Sequence, residues 1–227
     1  MLIKRRKIYT PDNSELLLYK AKAEAGEYVI GQELRMELRN LAEDMKDDRY
    51  IYDTQDAELR MDFMQNCVRL TKSPFYNKPM ILMQWQKALI EALYSFKMAE
   101  LSAEKGFPID RFKRLLLLIA RKNTKSETTS ALAESELIVG NPGADIVASS
   151  NDDAQASIVY DAIDLMRQLI DPKDKDTKRN QRFILNRATN TKVFKLSDRT
   201  RNKEGRCLRL SENVKSRMRG ASFYFAT

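Results

Sequence analysis

The sequence predicts an α/β fold, a three-layer sandwich around a mostly parallel sheet, preceded by a small helical subdomain. Three observations lead to this prediction. Residues 14–70 place apolar side chains three or four positions apart, as amphipathic helices do. Residues 115–120 form a short, continuous apolar run, which is typical of a strand buried on both faces. Beyond that run, apolar segments alternate with helical patterns, which implies parallel strands joined by right-handed crossovers.

The composition excludes several classes of chemistry. The 227 residues are enough for one large domain with its own core, and they include no histidine, so histidine-based catalysis is excluded. Cys67 and Cys207 are far apart and lack metal-ligand spacing, so we expect neither a disulfide framework nor a zinc site. No apolar run approaches the length of a membrane span, and the basic start lacks the apolar run of a signal peptide. We therefore expect a soluble intracellular protein.

Positive charge is concentrated in one stretch of the chain. The formal net charge is +8, yet residues 171–219 alone hold sixteen Lys and Arg against six Asp and Glu, a net +10. The densest cluster is Arg199, Arg201, Lys203, Arg206 and Arg209. Such a segment commonly contacts nucleic-acid phosphate, although a solvated face of an ordinary domain has the same composition. The cluster holds no aromatic residue, which disfavours single-strand binding.

The N-terminal elements follow from periodicity and helix breakers. We expect a helical subdomain over residues 1–70 and a main domain over 71–227, separated by a cluster of prolines and an asparagine at 71–79. Residues 83–100 then have apolar side chains at helical spacing, which predicts an amphipathic helix packed on the following sheet. The residues that set this spacing are Trp85, Leu89, Ala92, Leu93 and Phe96.

The centre of the chain alternates between strands and helices. The apolar run 115–120 predicts a central parallel strand, and 129–139 predicts a helix that ends at the breaker sequence 140–143. A second strand is expected at 145–149. Because parallel strands present their carboxyl ends at one edge of the sheet, a ligand is expected there.

Further elements are expected towards the C-terminus. A helix capped by Asp152 or Asp153 should run to about residue 171. Shorter strands are expected at 182–185 and 192–196, and the last segment, 221–227, reads as another buried strand.

Residues 121–126 have the position and spacing of a phosphate-binding loop. They follow a buried strand and end in Lys125-Ser126 at the start of a helix, as in the pattern G-x-x-x-x-G-K-S/T. In such a loop the lysine reaches the β- and γ-phosphates and the hydroxyl helps to hold magnesium. Both glycines are missing, since Ile119 and Thr124 occupy their positions. A basic strand-to-helix turn without a ligand remains the alternative.

Several ordered motifs resemble the large terminase subunit of tailed double-stranded-DNA phages. The string ARKNTKS at 120–126 looks like the deviant Walker A motif of that family, and LMQWQ at 82–86 resembles the element that opens its ATPase core. Residues 144–150 and the sequence DAQA at 153–156 resemble the family's second strand and the helix start after it. Arg219-Gly220 and the apolar residues after it resemble the approach to the Walker B motif.

The resemblance implies a P-loop NTPase core of the additional-strand, catalytic-glutamate type that binds ATP and Mg²⁺. The residues implied in nucleotide binding are Gln86, Arg121, Lys122, Asn123, Thr124, Lys125 and Ser126. Gln86 would contact adenine, Lys125 the phosphates, and Ser126 the metal ion. Arg121 would be catalytic, because a cation beside the transferring phosphate stabilises the charge that develops there.

In an intact protein of this family, ATP hydrolysis would drive double-stranded DNA into a viral procapsid in the host cytoplasm. The implied partners are DNA, the portal protein, the small terminase subunit and other large subunits in a ring, with no membrane. The sequence ends before the Walker B acids and the family's nuclease domain, so we expect this piece to be inactive by itself.

Two other functions remain open from the sequence. A P-loop helicase or recombination ATPase would share the phosphate loop, although the LMQWQ and DAQA elements disfavour it. A non-enzymatic, basic DNA-binding assembly module would have a degenerate loop that binds no nucleotide. Nucleotide binding separates the second alternative from the ATPase.

Overall fold

The structure is a computed structural model, and it divides the chain into two compact units. It describes residues 7–115, 117, 119–120, 123–150 and 153–197. One unit combines Met1–Met61 with Leu82–Phe112, and the other combines Asp62–Ile81 with Lys113–Thr227. Each unit thus contains two separate stretches of chain. The functional boundary expected after residue 70 stays a prediction.

The first unit is mainly helical, as the periodicity of residues 14–70 predicts. Its elements are α1 (Glu15–Glu24), α2 (Gln32–Asp44), β1 (Tyr50–Tyr52), the first half of α3 (Gln55–Asn66), α4 (Gln84–Ser95), β2 (Phe96–Met98) and α5 (Ala99–Lys105). Helix α1 begins where the Ser14 Oγ accepts a hydrogen bond from the Leu17 N–H. That cap satisfies one of the amide groups that a helix start leaves without a partner.

A buried carboxylate and an apolar cluster hold this unit together. The apolar cluster consists of Leu16, Tyr19, Leu38, Leu41, Ala88 and Phe96, with Trp85 packed against it. Beside it, Glu91 of α4 accepts hydrogen bonds from the Ser14 hydroxyl, the Glu15 N–H and the Tyr52 hydroxyl. Burial raises the pKa of Glu91 in spite of these hydrogen bonds. Trp85 is therefore a packing residue of this unit, in agreement with its position on the apolar face.

The prediction of a single helix over residues 83–100 is wrong. Helix α4 stops at Ser95, and Phe96–Met98 pairs antiparallel with Tyr50–Tyr52 before α5 begins. Phe96 is fully buried, and its ring centroid lies 4.6 Å from that of Tyr52. Strand pairing and ring packing at Phe96 outweigh the helical pattern. The apolar face of α4 packs on α1 and its neighbours within this unit.

The second unit contains a four-stranded mixed sheet with helices. Its elements are α6 (Lys125–Val139), β3 (Asp145–Ser150), α7 (Asp153–Ile170), β4 (Thr177–Arg179), β5 (Phe183–Asn186) and β6 (Lys192–Ser197). The bounds of β3, α7, β5 and β6 lie within about two residues of those that the sequence predicts. Helix α6 begins at Lys125, before the expected residue 129, and β4 has no counterpart among the predicted elements. The core consists of Ala133, Leu137, Ile146, Ala148, Val159, Tyr160, Ile163, Ile184 and Val193. Helices α6 and α7 therefore bury their apolar sides against the same sheet.

The prediction of a mostly parallel sheet is wrong for the described strands. The strand order is β3-β6-β5-β4, and of these pairings β3 with β6 is parallel, whereas β5 with β6 and β4 with β5 are antiparallel. The connections between β4, β5 and β6 are too short for a crossover, so these strands must run antiparallel. Between β3 and β6 the chain includes α7, which gives the length that a parallel connection needs.

The strand expected at 115–120 does not appear among its described residues. Leu115, Leu117, Ile119 and Ala120 belong to neither sheet. A β-strand requires a neighbouring strand that accepts and donates its backbone hydrogen bonds. An apolar run does not specify that neighbour. The last expected strand, 221–227, lies outside the described residues.

A fully buried glutamate lies on α6 next to an ion-pair network of α7. Arg167 Nε lies 3.0 Å from Asp164 Oδ1, and Arg179 Nη1 lies 2.8 Å from Asp164 Oδ2. Glu134 is 0% exposed, and neither of its carboxyl oxygens has a hydrogen-bond partner in the described part of the chain. Burial raises the pKa of Glu134 to about 8; Arg167 acts to lower it and Asp164 to raise it. Glu134 is therefore protonated in the folded protein at neutral pH.

The Glu134→Gln variant should remove a pH dependence of stability. Since the pKa of Glu134 is higher when folded than when unfolded, the unfolded state releases its proton first, and stability falls as pH rises from about 4.5 towards 8. The expected slope is roughly 1 kcal/mol per pH unit in that window. Urea unfolding of wild type and Glu134→Gln at several pH values measures it. Equal slopes in wild type and Glu134→Gln contradict the prediction.

Candidate functional site

The N-terminus of α6 presents backbone amides that have no acceptor within the helix. The helix begins at Lys125, and its first intrahelical bond runs from the Thr128 N–H to the Thr124 carbonyl at 2.8 Å. The N–H groups of Lys125, Ser126 and Glu127 therefore have no carbonyl one turn earlier in the helix. Together with the positive end of the helix dipole, such amides attract anions. Lys125 adds a full positive charge at the same place.

Thr124 adopts the backbone conformation that a glycine usually occupies in such a loop. Its φ is 56° and its ψ is 18°, in the left-handed region. For a residue with a Cβ this conformation costs about 1–2 kcal/mol. Two hydrogen bonds fix it locally: the Thr124 hydroxyl donates to the Asn123 carbonyl at 2.7 Å, and the Thr128 hydroxyl donates to the Thr124 carbonyl at 2.9 Å. The loop thus keeps the left-handed turn without the glycine.

A cavity of about 800 Å³ opens beside this helix start, within the second unit. Its described lining residues are Leu70, Lys72, Ser73, Pro74, Phe75, Ile119, Ala120, Thr124, Lys125, Ser126 and Glu127. Both segments contribute polar residues, and Leu70, Pro74, Phe75, Ile119 and Ala120 are the apolar members of the lining. A cavity of this size accommodates a ligand as large as a nucleotide.

The other wall of the cavity is the tip of a hairpin, which we define as residues 68–80. The Met80 N–H donates to the Val68 carbonyl at 3.1 Å, and the Leu70 N–H donates to the Lys78 carbonyl at 2.9 Å. Val68 and Met80 are both buried, so the base of the hairpin is anchored. Its tip, by contrast, carries the exposed ring of Phe75.

One side-chain hydrogen bond joins the hairpin to the helix start. The Thr71 hydroxyl donates to Glu127 Oε1 at 2.9 Å. The second oxygen of this carboxylate, Oε2, is buried and has no hydrogen-bond donor among the described residues. An anion bound at the helix start would meet this negative charge, so a cation between the two would stabilise the arrangement.

The structure brings part of the expected site together. Thr124, Lys125 and Ser126 line the cavity, and Asn123 precedes them as an exposed residue outside its lining. Arg121 and Lys122 lie outside the described residues, so the catalytic role of Arg121 stays a prediction.

Gln86 belongs to the first unit and is 2% exposed. Its Oε1 accepts a hydrogen bond from the Met83 N–H at 2.7 Å, at the start of α4. This hydrogen bond is a structural role, since it caps the helix. Contact between Gln86 and adenine stays a prediction.

Sequence reasoning missed the contribution of the hairpin. Thr71, Lys72 and Phe75 fall within the segment that the prolines mark as a boundary, and no motif singles them out. An aromatic residue between breakers, in place of the usual small polar residues, is the one signal that could have drawn attention to this loop. Glu127 is the acidic residue directly after Lys125-Ser126, and its spacing alone gives it no role.

The basic segment is described only in part. Lys173, Lys175 and Lys178 are exposed, whereas Arg167 and Arg179 are paired with carboxylates of α7 and the following turn. The cluster from Arg199 to Arg209 lies outside the described residues. Contact with DNA therefore stays a prediction.

Comparison with known proteins gives one structural likeness. The crystal structure of the HK97 bacteriophage large terminase has a TM-score of 0.57 with 15% sequence identity, and the match covers 75% of this chain and 37% of that chain. At this identity the likeness shows a terminase-like fold. No protein-family model matches the sequence, and no curated protein matches it. None of the described helices is both long and apolar enough to cross a bilayer.

Replacing Thr124 by glycine should stabilise the protein. Glycine adopts the left-handed conformation without a Cβ penalty, and this gain exceeds its greater backbone entropy when unfolded. We expect a gain of about 1 kcal/mol in the free energy of unfolding, measured by urea denaturation. Asn77→Gly is the matched control, because Asn77 also has a positive φ of 60° but asparagine tolerates it well. A loss of stability in Thr124→Gly would contradict the expected strain.

Proposed function

We propose that this chain binds ATP with Mg²⁺ at the start of α6 and forms the ATPase part of a phage terminase large subunit. The observation that carries the proposal is the cavity beside the α6 N-terminus, in which Lys125 and Ser126 line the polar side. The terminase-like fold supports the same reading. The match of ARKNTKS and LMQWQ to that family's motifs is the third support.

In this proposal the triphosphate binds at the helix start. The amides of Lys125, Ser126 and Glu127 donate to phosphate oxygens, and the Lys125 ammonium neutralises charge on the β- and γ-phosphates. Arg121 contributes the cation that stabilises the transferring phosphate, with Lys122 and Asn123 completing the loop. Helix and loop thereby position the phosphates without any covalent step by the protein.

The residues at this position fit a magnesium ion. Mg²⁺ prefers oxygen ligands and commonly binds through one or two protein groups plus substrate phosphates. Ser126 provides a hydroxyl at the cavity, and Glu127 provides the buried Oε2 without a donor. When bound, Mg²⁺ would neutralise charge on the phosphates.

The wider role follows from the same family. Hydrolysis of ATP would drive double-stranded DNA into a procapsid through a ring of large subunits docked on the portal, with a small terminase subunit as a further partner. The host cytoplasm is the proposed location. The positive charge of residues 171–219 supports contact with the DNA backbone.

A non-enzymatic DNA-binding module is the rival function. It is favoured by Thr124, a β-branched residue where phosphate loops usually have glycine. In that case the left-handed turn would be retained for structure, and nucleotide would have no effect on stability.

The Lys125→Ala variant tests the proposal. Saturating Mg²⁺ and a non-hydrolysable ATP analogue should raise the melting temperature of wild type by several degrees, since a ligand at 100 times its Kd stabilises by about 2.7 kcal/mol. Lys125→Ala should lose most of this shift because the main cation at the phosphates is gone. Differential scanning fluorimetry with and without ligand measures both.

Lys173→Ala is the matched control, because it removes the same charge from an exposed position of the same unit and away from the cavity. It should keep the wild-type shift. No shift in wild type, combined with salt-dependent DNA binding, would favour the rival module.

A further inference from the structure

We propose that Phe75, at the tip of the hairpin, stacks on the nucleobase of the ligand whose phosphates bind at the start of α6. The inference rests on the proposed function, and it adds a residue that determines how the base is held. It comes from the way in which the cavity is divided between a cationic wall and an apolar wall.

The cavity has two chemically different sides. Lys125, Ser126 and the α6 amides suit an anion, whereas the hairpin supplies the apolar residues Leu70, Pro74 and Phe75 beside Lys72 and Ser73. Ile119 and Ala120 extend the apolar lining. A ligand that fills both sides carries a phosphate group and a flat, weakly polar group. Nucleotides combine these two features.

Phe75 is the one aromatic residue among the described lining residues of this cavity. Phe75 is 55% exposed, so its ring is accessible to a ligand. Aromatic rings bind bases by stacking, since each base presents a flat π-face. An exposed ring at the edge of a nucleotide-sized cavity is therefore suited to this contact.

The hairpin holds Phe75 in place before any ligand binds. The Phe75 N–H donates to the Lys72 carbonyl, and the Lys78 N–H donates to the Phe75 carbonyl, both at 3.0 Å. The Lys78 ammonium lies 5.5 Å from the centroid of the ring, within the range of a cation–π contact. Because these hydrogen bonds restrain the backbone around Phe75, less backbone entropy is lost when a ligand contacts the ring.

The Thr71–Glu127 hydrogen bond links the position of the ring to that of the phosphates. It joins the hairpin, four residues before Phe75, to the first turn of α6, directly after Ser126. The segment that would stack on the base and the segment that would bind the phosphates are thus joined by a hydrogen bond. Lys72 also belongs to the lining and adds a second positive charge to the cavity.

Two ligands separate base recognition from phosphate recognition. Isothermal titration with a non-hydrolysable ATP analogue and with inorganic tripolyphosphate, both with Mg²⁺, measures binding to the full chain. We expect Phe75→Ala to weaken binding of the analogue about tenfold, the usual size of an aromatic stacking contact, and to leave tripolyphosphate binding unchanged. Phe75→Trp should keep analogue binding because it keeps a stacking ring. Lys125→Ala should weaken both ligands.

Tyr76→Ala is the matched control, since Tyr76 is the next residue, is 53% exposed and is not part of the lining. It should bind both ligands as wild type does. If Lys125→Ala loses analogue binding while Phe75→Ala retains it, the inference about Phe75 is wrong and the proposed function stands. If Phe75→Ala weakens binding of both ligands equally, the inference is also wrong and the proposed function stands, because the ring then only maintains the conformation of the hairpin. Wild type that binds neither ligand overturns the proposed function and this inference together.

Discussion

The packing of α6 against α7 and the sheet is the constraint on which the candidate site depends. Ala133 and Leu137 of this helix are almost completely buried in the core that also holds Ile163 and Val193. Leu137 lies about 18 Å along the helix axis from Lys125, at a rise of 1.5 Å per residue. Because a helix is stiff over this length, the core at its C-terminal half fixes the position of the amides at its start.

The same packing explains how Thr124 is kept in an unfavourable conformation. Strained backbone persists where the surrounding structure over-determines it, and such positions cluster at functional sites. Thr124 directly precedes a helix whose residues from Thr128 to Leu137 are all buried, so the turn cannot relax without moving that helix. The hydrogen bonds to Asn123 and from Thr128 add to this restraint. The chain therefore keeps a left-handed turn before α6 although it lacks the glycine that adopts this conformation most easily.

The cavity is lined by two segments that are distant in sequence. Thr71 and Glu127 are 56 residues apart in sequence, yet their side chains are hydrogen-bonded. The helix start alone attracts an anion of any kind. The hairpin adds the apolar wall that would distinguish a nucleotide from a simple phosphate, so specificity in this proposal depends on the tertiary contact between the two.

The sequence by itself determined the local elements of the second unit. Breakers and periodicity predicted β3 and α7 closely, and the Lys125-Ser126 pair lies at the helix start where the loop spacing put it. Only the tertiary structure decided that the helix after Trp85 ends at Ser95, that β4, β5 and β6 run antiparallel, and that Phe75 faces the cavity. The reason is physical: periodicity reports which side of one segment is buried, whereas strand partners and cavity walls depend on which distant segments meet.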